Sequence, residues 1–346
     1  MSGGVDSSVA AALLKDEGYE VVGITLRLFA EKKNAVKCCG GADSAAKARE
    51  SAGVLGIRHY FKSAQGLFTE KVINNFVGGY LAGSTPNPCV ECNRHLKFSY
   101  LFDIARGMGA DYLATGHYAI IKQTEDGHGM FRGVDPLKDQ SYFLYCLKKA
   151  QLGQLLFPLG GMEKKEIRRI AAGLKLPSAA APESKDICFV TTGDYGHYLK
   201  GSGVKPKPGL MVDMAGKRLG KHEGFFNFTV GQRRGTGVYG GSRLYVTELR
   251  PATNEVVLGP LEAAHSSGFT VTGLNWLAPV PDGPFISAAQ IRYRHKPAAC
   301  RVEPGPRHTA KVIFEKPQFA IAPGQSVVFY DGDRVVGGGI IADRAG

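Results

Sequence analysis

No run of apolar residues in this 346-residue chain approaches the roughly 20 that a membrane-crossing helix needs, and the N-terminus enters a glycine-rich loop where a basic-then-apolar leader would stand. A membrane partner is therefore not expected, and the cytoplasm is the expected compartment. Cysteine is too sparse for a disulfide scaffold. The seven cysteines, an odd number at 38, 39, 89, 92, 146, 188 and 300, lack the dense even framework of a secreted domain and point instead to reactive or metal-binding thiols. Internal repeats and low-complexity tracts are also missing. With 44% hydrophobic and 21% charged residues, wholesale disorder and a fibrous architecture are excluded. The length exceeds what one hydrophobic core usually serves, so two or three domains are expected. Lys+Arg outnumber Asp+Glu by 43 to 31, a net charge of +12, which favours a polyanionic partner through phosphate contacts and counterion release.

The order of elements sets the fold class. An Ala-rich run from Ser7 to Leu14 predicts a helix, Val21 to Leu26 a short buried strand, Ser44 to Leu55 a helix and Ile57 to Phe61 a strand. Helices at Phe68 to Tyr80 and Tyr100 to Met108 and a strand at Tyr112 to Thr115 follow. Strands alternating with helices predict an α/β domain built on a doubly wound parallel sheet. After a helix around Glu163 to Leu174 the texture changes, near Val204-Lys-Pro-Lys-Pro-Gly209, to short β-type runs separated by Gly and Pro. The expected domains are an α/β domain over 1–203, a small β-rich domain over 204–262 and a closed antiparallel β-barrel over 263–346. The central domain carries Phe225 to Val230, Arg243 to Leu249 and Glu255 to Leu258; the barrel carries Phe269 to Leu274, Ala288 to Tyr293, Thr309 to Phe314, Ser326 to Tyr330 and Val335 to Ile341.

Ser2-Gly3-Gly4-Val5-Asp6-Ser7-Ser8 opens directly into the first helix. Small residues let backbone amides approach an anion where the helix dipole is positive, and phosphate is the natural occupant. A plain glycine turn with Ser or Asp capping the helix is the ordinary alternative; Ser on both sides with Asp inside favours phosphate. The segment has neither the lysine of a kinase phosphate loop nor the three spaced glycines of a dinucleotide fingerprint. It resembles the Ser-Gly-Gly-x-Asp-Ser loop of pyrophosphatase-type enzymes, which split ATP into AMP and pyrophosphate to activate a carbonyl oxygen by adenylation. The resemblance implies that Ser2, Gly3, Gly4, Val5, Asp6, Ser7 and Ser8 hold the pyrophosphate end of ATP, with Asp6 a partner for Mg2+. It also implies that Leu26 and Gly116, the latter in Ala114-Thr115-Gly116-His117, border the adenosine. In such enzymes a buried strand leads into the loop, whereas here only Met1 precedes Ser2. A missing strand would leave its neighbours with unpaired amides and carbonyls, so the expectation is a natural start upstream of Met1.

Thr85-Pro86-Asn87-Pro88-Cys89-Val90-Glu91-Cys92-Asn93-Arg94 carries a Cys-x-x-Cys unit between a Pro-rich turn and a helix-like stretch with Lys97. By itself it fits a redox pair, half a zinc site or part of an iron–sulfur site; no second Cys-x-x-Cys exists for zinc, although His95 leaves that metal open. A further thiol, Cys188, follows Glu183-Ser184-Lys185-Asp186-Ile187. A cation such as Lys185 near a thiol favours the reactive thiolate, while a structural cysteine between Ile187 and Phe189 is the ordinary alternative. Cys146 and Cys300 lie in apolar runs and are expected in the core. Cys38-Cys39 is assigned no role.

Six segments together carry a closer resemblance: Ser2 to Ser8, Asn87-Pro88 before Cys92, Lys138-Asp139-Gln140-Ser141-Tyr142-Phe143-Leu144, the Cys188 segment, Gly231-Gln232-Arg233-Arg234-Gly235 and Arg292-Tyr293. In this order, and over almost the whole chain, they resemble the tRNA-specific 2-thiouridylase MnmA family. The resemblance implies a pyrophosphatase-type catalytic domain in 1–203 and a reaction in which the wobble uridine of tRNA is adenylated on its 2-carbonyl oxygen, which sulfur then replaces. It implies that Cys188 carries a persulfide and that Cys92 is the nucleophile that can pair with Cys188 to release sulfur. It implies tRNA contacts at Asn87, Pro88 and Cys89, against the target base, and at His117, Lys138, Asp139, Gln140, Arg292, Tyr293 and Gln325. Basic side chains beside Tyr142 or Tyr293 also suit backbone contact and base stacking, and a wobble base in a loop can be splayed into a pocket for a few kcal/mol of unstacking.

Cys89 departs from the family, many of whose members carry Asp there. Cys89, Cys92 and Cys188 could therefore bind three irons of a 4Fe-4S cluster and leave the fourth to hold sulfide, an alternative to the persulfide route. Expected partners are tRNA and a persulfide-donating sulfur carrier or cysteine desulfurase; a monomer is the default state. An adenylating amidotransferase or ligase would share the nucleotide loop but have no use for three thiols, and a noncatalytic RNA-binding or iron–sulfur carrier protein would bind tRNA without forming AMP.

Overall fold

In the computed structural model, residues 1–29, 41–180, 187–190, 193–238 and 243–344 are described, and they form two compact units. The first holds Met1–Val72, Cys89–Gly193 and Asp333–Val335; the second holds Ile73–Pro88, Asp194–Gly332 and Val336–Gly346.

The first unit is α/β. Helix Val5–Asp16 starts at Gly4, whose extended backbone leaves the first amides unbonded by any side-chain cap. Its small residues Ala10, Ala11 and Ala12 let it pack closely with Leu159, Ile167 and Leu176, the second of these on helix Lys164–Gly173. That second helix is started by a reciprocal capping box between Glu163 and Glu166. Strand β1 (Val22–Arg27) runs parallel to β2 (Arg58–Ser63) across helix Ala42–Leu55, which stops at Gly56 in the left-handed conformation (φ 62°). Strand β3 (Leu113–Ala114) is followed by a hairpin of β4 (Ala119–Thr124) and β5 (Gly127–Arg132), and pairs in parallel with β6 (Leu155–Leu156). Among the described residues of this unit the parallel strands form these two pairs, with no strand joining them. Met1 lies beside β1: its amino group donates to the Ile24 carbonyl and its own carbonyl accepts from the Thr25 hydroxyl.

The second unit contains a four-stranded sheet and a barrel. In the sheet, β7 (Gly209–Asp213), β8 (Arg218–His222), β9 (Tyr245–Arg250) and β10 (Glu255–Gly259) take the order β8-β7-β10-β9, with β7 and β10 parallel. Met211, Phe228, Val246, Val256 and Leu258 fill its core. Strands β11 (His265–Trp276), β12 (Phe285–Gln290), β13 (Ala298–Gly305), β14 (Thr309–Phe319), β15 (Ser326–Asp331) and β16 (Arg334–Arg344) follow in the order β11-β14-β13-β12-β15-β16, and β16 returns to β11. This closed antiparallel barrel, which abolishes sheet edges, has Val271, Val302, Val312 and Phe329 inside.

Three local expectations are corrected. Phe225 to Val230 is not a strand: Phe226, Phe228 and Val230 are buried alternately as in a strand, but Phe228 bonds back to Phe225 and the Thr229 amide donates to Gln232, so the segment turns. The strand expected over Ala288 to Tyr293 ends at Gln290, whose side-chain amide donates to the carbonyls of Arg292 and Tyr293 and bends the chain. Phe68 to Tyr80 is not one helix but a turn at Gln65–Phe68, a π-helical Thr69–Ile73 and an α-helical Asn74–Leu81. A longer π-helix, Cys92–Tyr100, leads into helix Leu101–Gly107.

Candidate active site

The Ser2–Ser8 loop is a tight shell of its own hydrogen bonds. The Ser2 amide donates to Ser7 Oγ (3.0 Å), and the hydroxyls of Ser7 and Ser8 donate to the Gly4 carbonyl (3.1 and 3.2 Å). Gly3 sits at φ 79° with its Cα face against the Ser44 backbone, where a side chain would collide. Asp6, in the first turn of the helix, is held by the Lys164 ammonium and by the Tyr118 hydroxyl (2.7 Å), both at Oδ1. Lys164 is only 8% exposed. Asp6 Oδ2 accepts no hydrogen bond from the described residues, which leaves one carboxylate oxygen for magnesium, an ion that takes one or two carboxylates and keeps its waters.

Gly116 closes the other side of the loop, its Cα facing the Asp6–Ser7 peptide. The next residue, His117, is 7% exposed and lies between Phe98 and Phe157. The Lys97 ammonium, which has no acceptor, donates to His117 Nε2 (3.2 Å), so the neutral ring carries its proton on Nδ1 and donates to Thr115 Oγ1 (2.7 Å). Burial, and after it the Lys97 charge, pushes this imidazole well below its ordinary pKa. Leu26 is half-buried on β1 opposite Lys62.

The thiol-bearing elements belong to the same unit. Cys89 is exposed, in the short helix Pro88–Glu91, and half-buried Cys92 begins the π-helix Cys92–Tyr100. That π-helix packs on turn Gln65–Phe68 and is anchored by Asn93, whose amide donates to the Phe143 carbonyl (2.9 Å), and by Tyr100, whose hydroxyl donates to Ser63 at the end of β2 (3.0 Å). Half-buried Cys188 precedes Phe189, whose ring meets Phe68 edge-on at 5.8 Å. The elements bearing Cys92 and Cys188 thus converge on one turn. Glu91, between Cys89 and Cys92, pairs with His95 (3.2 Å). Among the described residues no three of His, Cys, Asp or Glu are grouped to hold a metal ion. Cys146 and Cys300 are core residues whose thiols burial pushes up to about 12. Cys38, Cys39, Lys185 and Asp186 lie outside the described residues.

Asp139 and Gln140 act on the backbone. Asp139, 7% exposed, accepts from Arg132, the Gly133 and Ser141 amides and the Ser141 hydroxyl. Gln140 exchanges two hydrogen bonds with the Tyr118 backbone and so braces the residue that holds Asp6. Lys138 is half-buried beside them. In the second unit, Gln325 donates to the Thr85 carbonyl (2.8 Å) and the Thr85 amide to Pro323 (2.7 Å), fixing the turn that carries half-buried Asn87 and buried Pro88. Arg292 is exposed with its guanidinium 5.7 Å from the Phe319 ring, and Tyr293 is half-buried. Gly231 bonds to Val246, leaving Arg233 and Arg234 exposed.

Sequence reasoning missed Lys164 and Tyr118. The only local sign was the capping-box start of the Lys164 helix, which says nothing of a partner 158 residues away.

Residues 1–192 match the family described as tRNA methyl transferase HUP domain, 197–260 the tRNA methyl transferase PRC-barrel domain and 266–341 the aminomethyltransferase beta-barrel domain. Among similar proteins, the tRNA-specific 2-thiouridylase MnmA of Geotalea uraniireducens (strain Rf4) is 47% identical across 99% of this chain and 93% of its own length. Those of Magnetococcus marinus and Carboxydothermus hydrogenoformans are each 46% identical across 99% of this chain, covering 97% and 96% of their own lengths. No helix among the described residues is long and apolar enough to cross a membrane.

Proposed function

This chain belongs to the tRNA-specific 2-thiouridylase MnmA family, and from that premise we propose that it catalyses ATP-dependent 2-thiolation of the wobble uridine of tRNA through a cysteine persulfide. The observation that carries the proposal is the closed Ser2–Ser8 loop, its Asp6 held by Lys164 and Tyr118, within the same compact unit as Cys92 and Cys188. The helix N-terminus and loop amides favour the phosphates of ATP. Magnesium, bound through Asp6, would neutralise phosphate charge. The uridine 2-oxygen attacks the α-phosphorus and pyrophosphate leaves. The terminal sulfur of a Cys188 persulfide, supplied by a sulfur carrier or cysteine desulfurase, bonds to C2. The Cys92 thiolate then attacks the Cys188 sulfur, the S–S bond breaks with sulfur left on C2, and AMP departs with the oxygen. The resulting Cys92–Cys188 disulfide is reset by an external thiol reductant. Adenylation supplies the leaving group that a urea-like carbonyl lacks.

Asn87, Pro88 and Cys89 are proposed to face the target base, with Lys138, Arg292 and Tyr293 on the tRNA; His117, Asp139, Gln140 and Gln325 would support these residues, since each already bonds a protein partner through its side chain. The test is ATP-dependent thiolation of unmodified tRNA by anaerobically purified protein. Cys92→Ala and Cys188→Ala should abolish thiolation while tRNA-dependent pyrophosphate release persists; thiolation that survives both substitutions overturns the assignment. Iron at about four per chain, with activity following it, would replace the persulfide route by a cluster.

A further inference from the structure

Lys97 is half-buried, and its ammonium contacts a neutral imidazole while no carboxylate among the described residues pairs with it. An ammonium drawn partly out of water and left without an anion is unfavourable unless an anion joins it. Its imidazole partner cannot accept a proton readily and so serves as a fixed acceptor that aims the remaining two N–H groups. The position is specific. His117 follows Gly116, whose backbone lies against the Asp6–Ser7 peptide, and Lys97 is on the π-helix that begins at Cys92, within about 8 Å along its axis.

We infer that Lys97 is an anion-binding residue between the nucleotide loop and the thiols, and that its ligand is the α-phosphate of the adenylated uridine and of the departing AMP. The identity of the phosphate's carrier rests on the thiolase reading above. In the first step the uridine oxygen bonds to the α-phosphorus as the bond to pyrophosphate breaks. In the second, sulfur bonds to C2 as the C2–O bond breaks, and AMP takes that oxygen with its electron pair. The phosphate gains a negative charge in this second step, so a fixed ammonium stabilises the departing state more than the bound adenylate.

The experiment is calorimetric titration of AMP and of adenosine into the full chain, wild type, Lys97→Met and Lys97→Arg, with melting temperatures as the folding control. Lys97→Met should bind AMP about tenfold more weakly, the scale of one charge-assisted hydrogen bond, with adenosine affinity unchanged; Lys97→Arg should recover most of the loss. In single turnover on bound tRNA, Lys97→Met should slow thiolation by about 100-fold, as when an oxyanion donor is removed. Unchanged AMP affinity, or equal losses for AMP and adenosine, overturns the inference. If the methionine variant does not fold, Lys97→Gln carries the same comparison. Wild-type protein that forms no AMP on tRNA refutes the thiolase reading, while the AMP and adenosine titrations still decide Lys97.

Discussion

Replacing Gly116 by alanine tests whether the phosphate loop is held by backbone contact from outside. Gly116 is not at positive φ, so the substitution costs nothing in backbone conformation and reads only the close approach. Its Cβ would stand 2.7 Å from the Asp6 carbonyl carbon, 2.8 Å from the Ser7 amide nitrogen and 2.9 Å from the Asp6 oxygen, where ordinary contact begins at 3.4 Å. The atoms met are backbone, unable to rotate away, so loop and turn must part by the difference, about 0.7 Å. Overpacking of this kind costs about 1–3 kcal/mol, a fall of roughly 2–12 °C in melting temperature. Displacement of the phosphate-binding amides by that distance should slow tRNA-dependent pyrophosphate release by about 10–100-fold and reduce the stabilisation that saturating ATP confers in a thermal melt. Gly116→Ala protein that releases pyrophosphate within about twofold of wild type, with an unchanged melt, would refute the reasoning, because the loop would then tolerate a shift that its hydrogen bonds should forbid.

Lys164→Met should destabilise the first unit by about 1–3 kcal/mol, between the values for exposed and fully buried pairs, because Lys164 is nearly buried while the Asp6 side chain keeps 35% of its exposure; a double-mutant cycle with Asp6→Asn, read by denaturant melts, should show strong coupling. Asp126, in the β4–β5 turn, is bound by Lys149, Arg334 and Thr124, whose hydrogen bonds hold its carboxyl well below the usual range. Its contribution is present above the unfolded-state pKa of about 3.9 and fades as pH falls below it, so the stability gap between wild type and Asp126→Asn should be constant from about pH 5 to 7 and close in acid; a gap that widens in acid contradicts the assignment. Gln325→Ala removes the 2.8 Å bond to Thr85 and should raise KM for tRNA several-fold with KM for ATP unchanged, measured by initial rates; equal changes in both would remove Gln325 from the tRNA side.

Much of the fold is legible because it rests on short-range patterns. The Ala-rich run at Ser7 to Leu14 becomes helix Val5–Asp16, and the barrel runs Thr309 to Phe314 and Ser326 to Tyr330 become β14 and β15. Periodicity of burial does not specify hydrogen-bond partners, however. Phe226, Phe228 and Val230 alternate like a strand and yet turn, because Gln232 captures the Thr229 amide. The π-helix Cys92–Tyr100 differs from an α-helix in the offset of its backbone bonds, a difference that apolar spacing barely records.

The candidate site divides along the same line. The order of residues alone determined that a small-residue loop meets a helix N-terminus at Ser2 to Ser8, that Cys89 and Cys92 lie between a Pro-rich turn and a helix-like stretch and that Cys188 stands between Ile187 and Phe189, since each depends on neighbours a few residues apart. Only the tertiary structure decided that Lys164 and Tyr118 grip Asp6, that Lys97 fixes the tautomer of His117 and that Gln325 holds Thr85. Those contacts join residues 20 to 240 positions apart, and burial, which makes an unpartnered charge or amide costly, selects the partner.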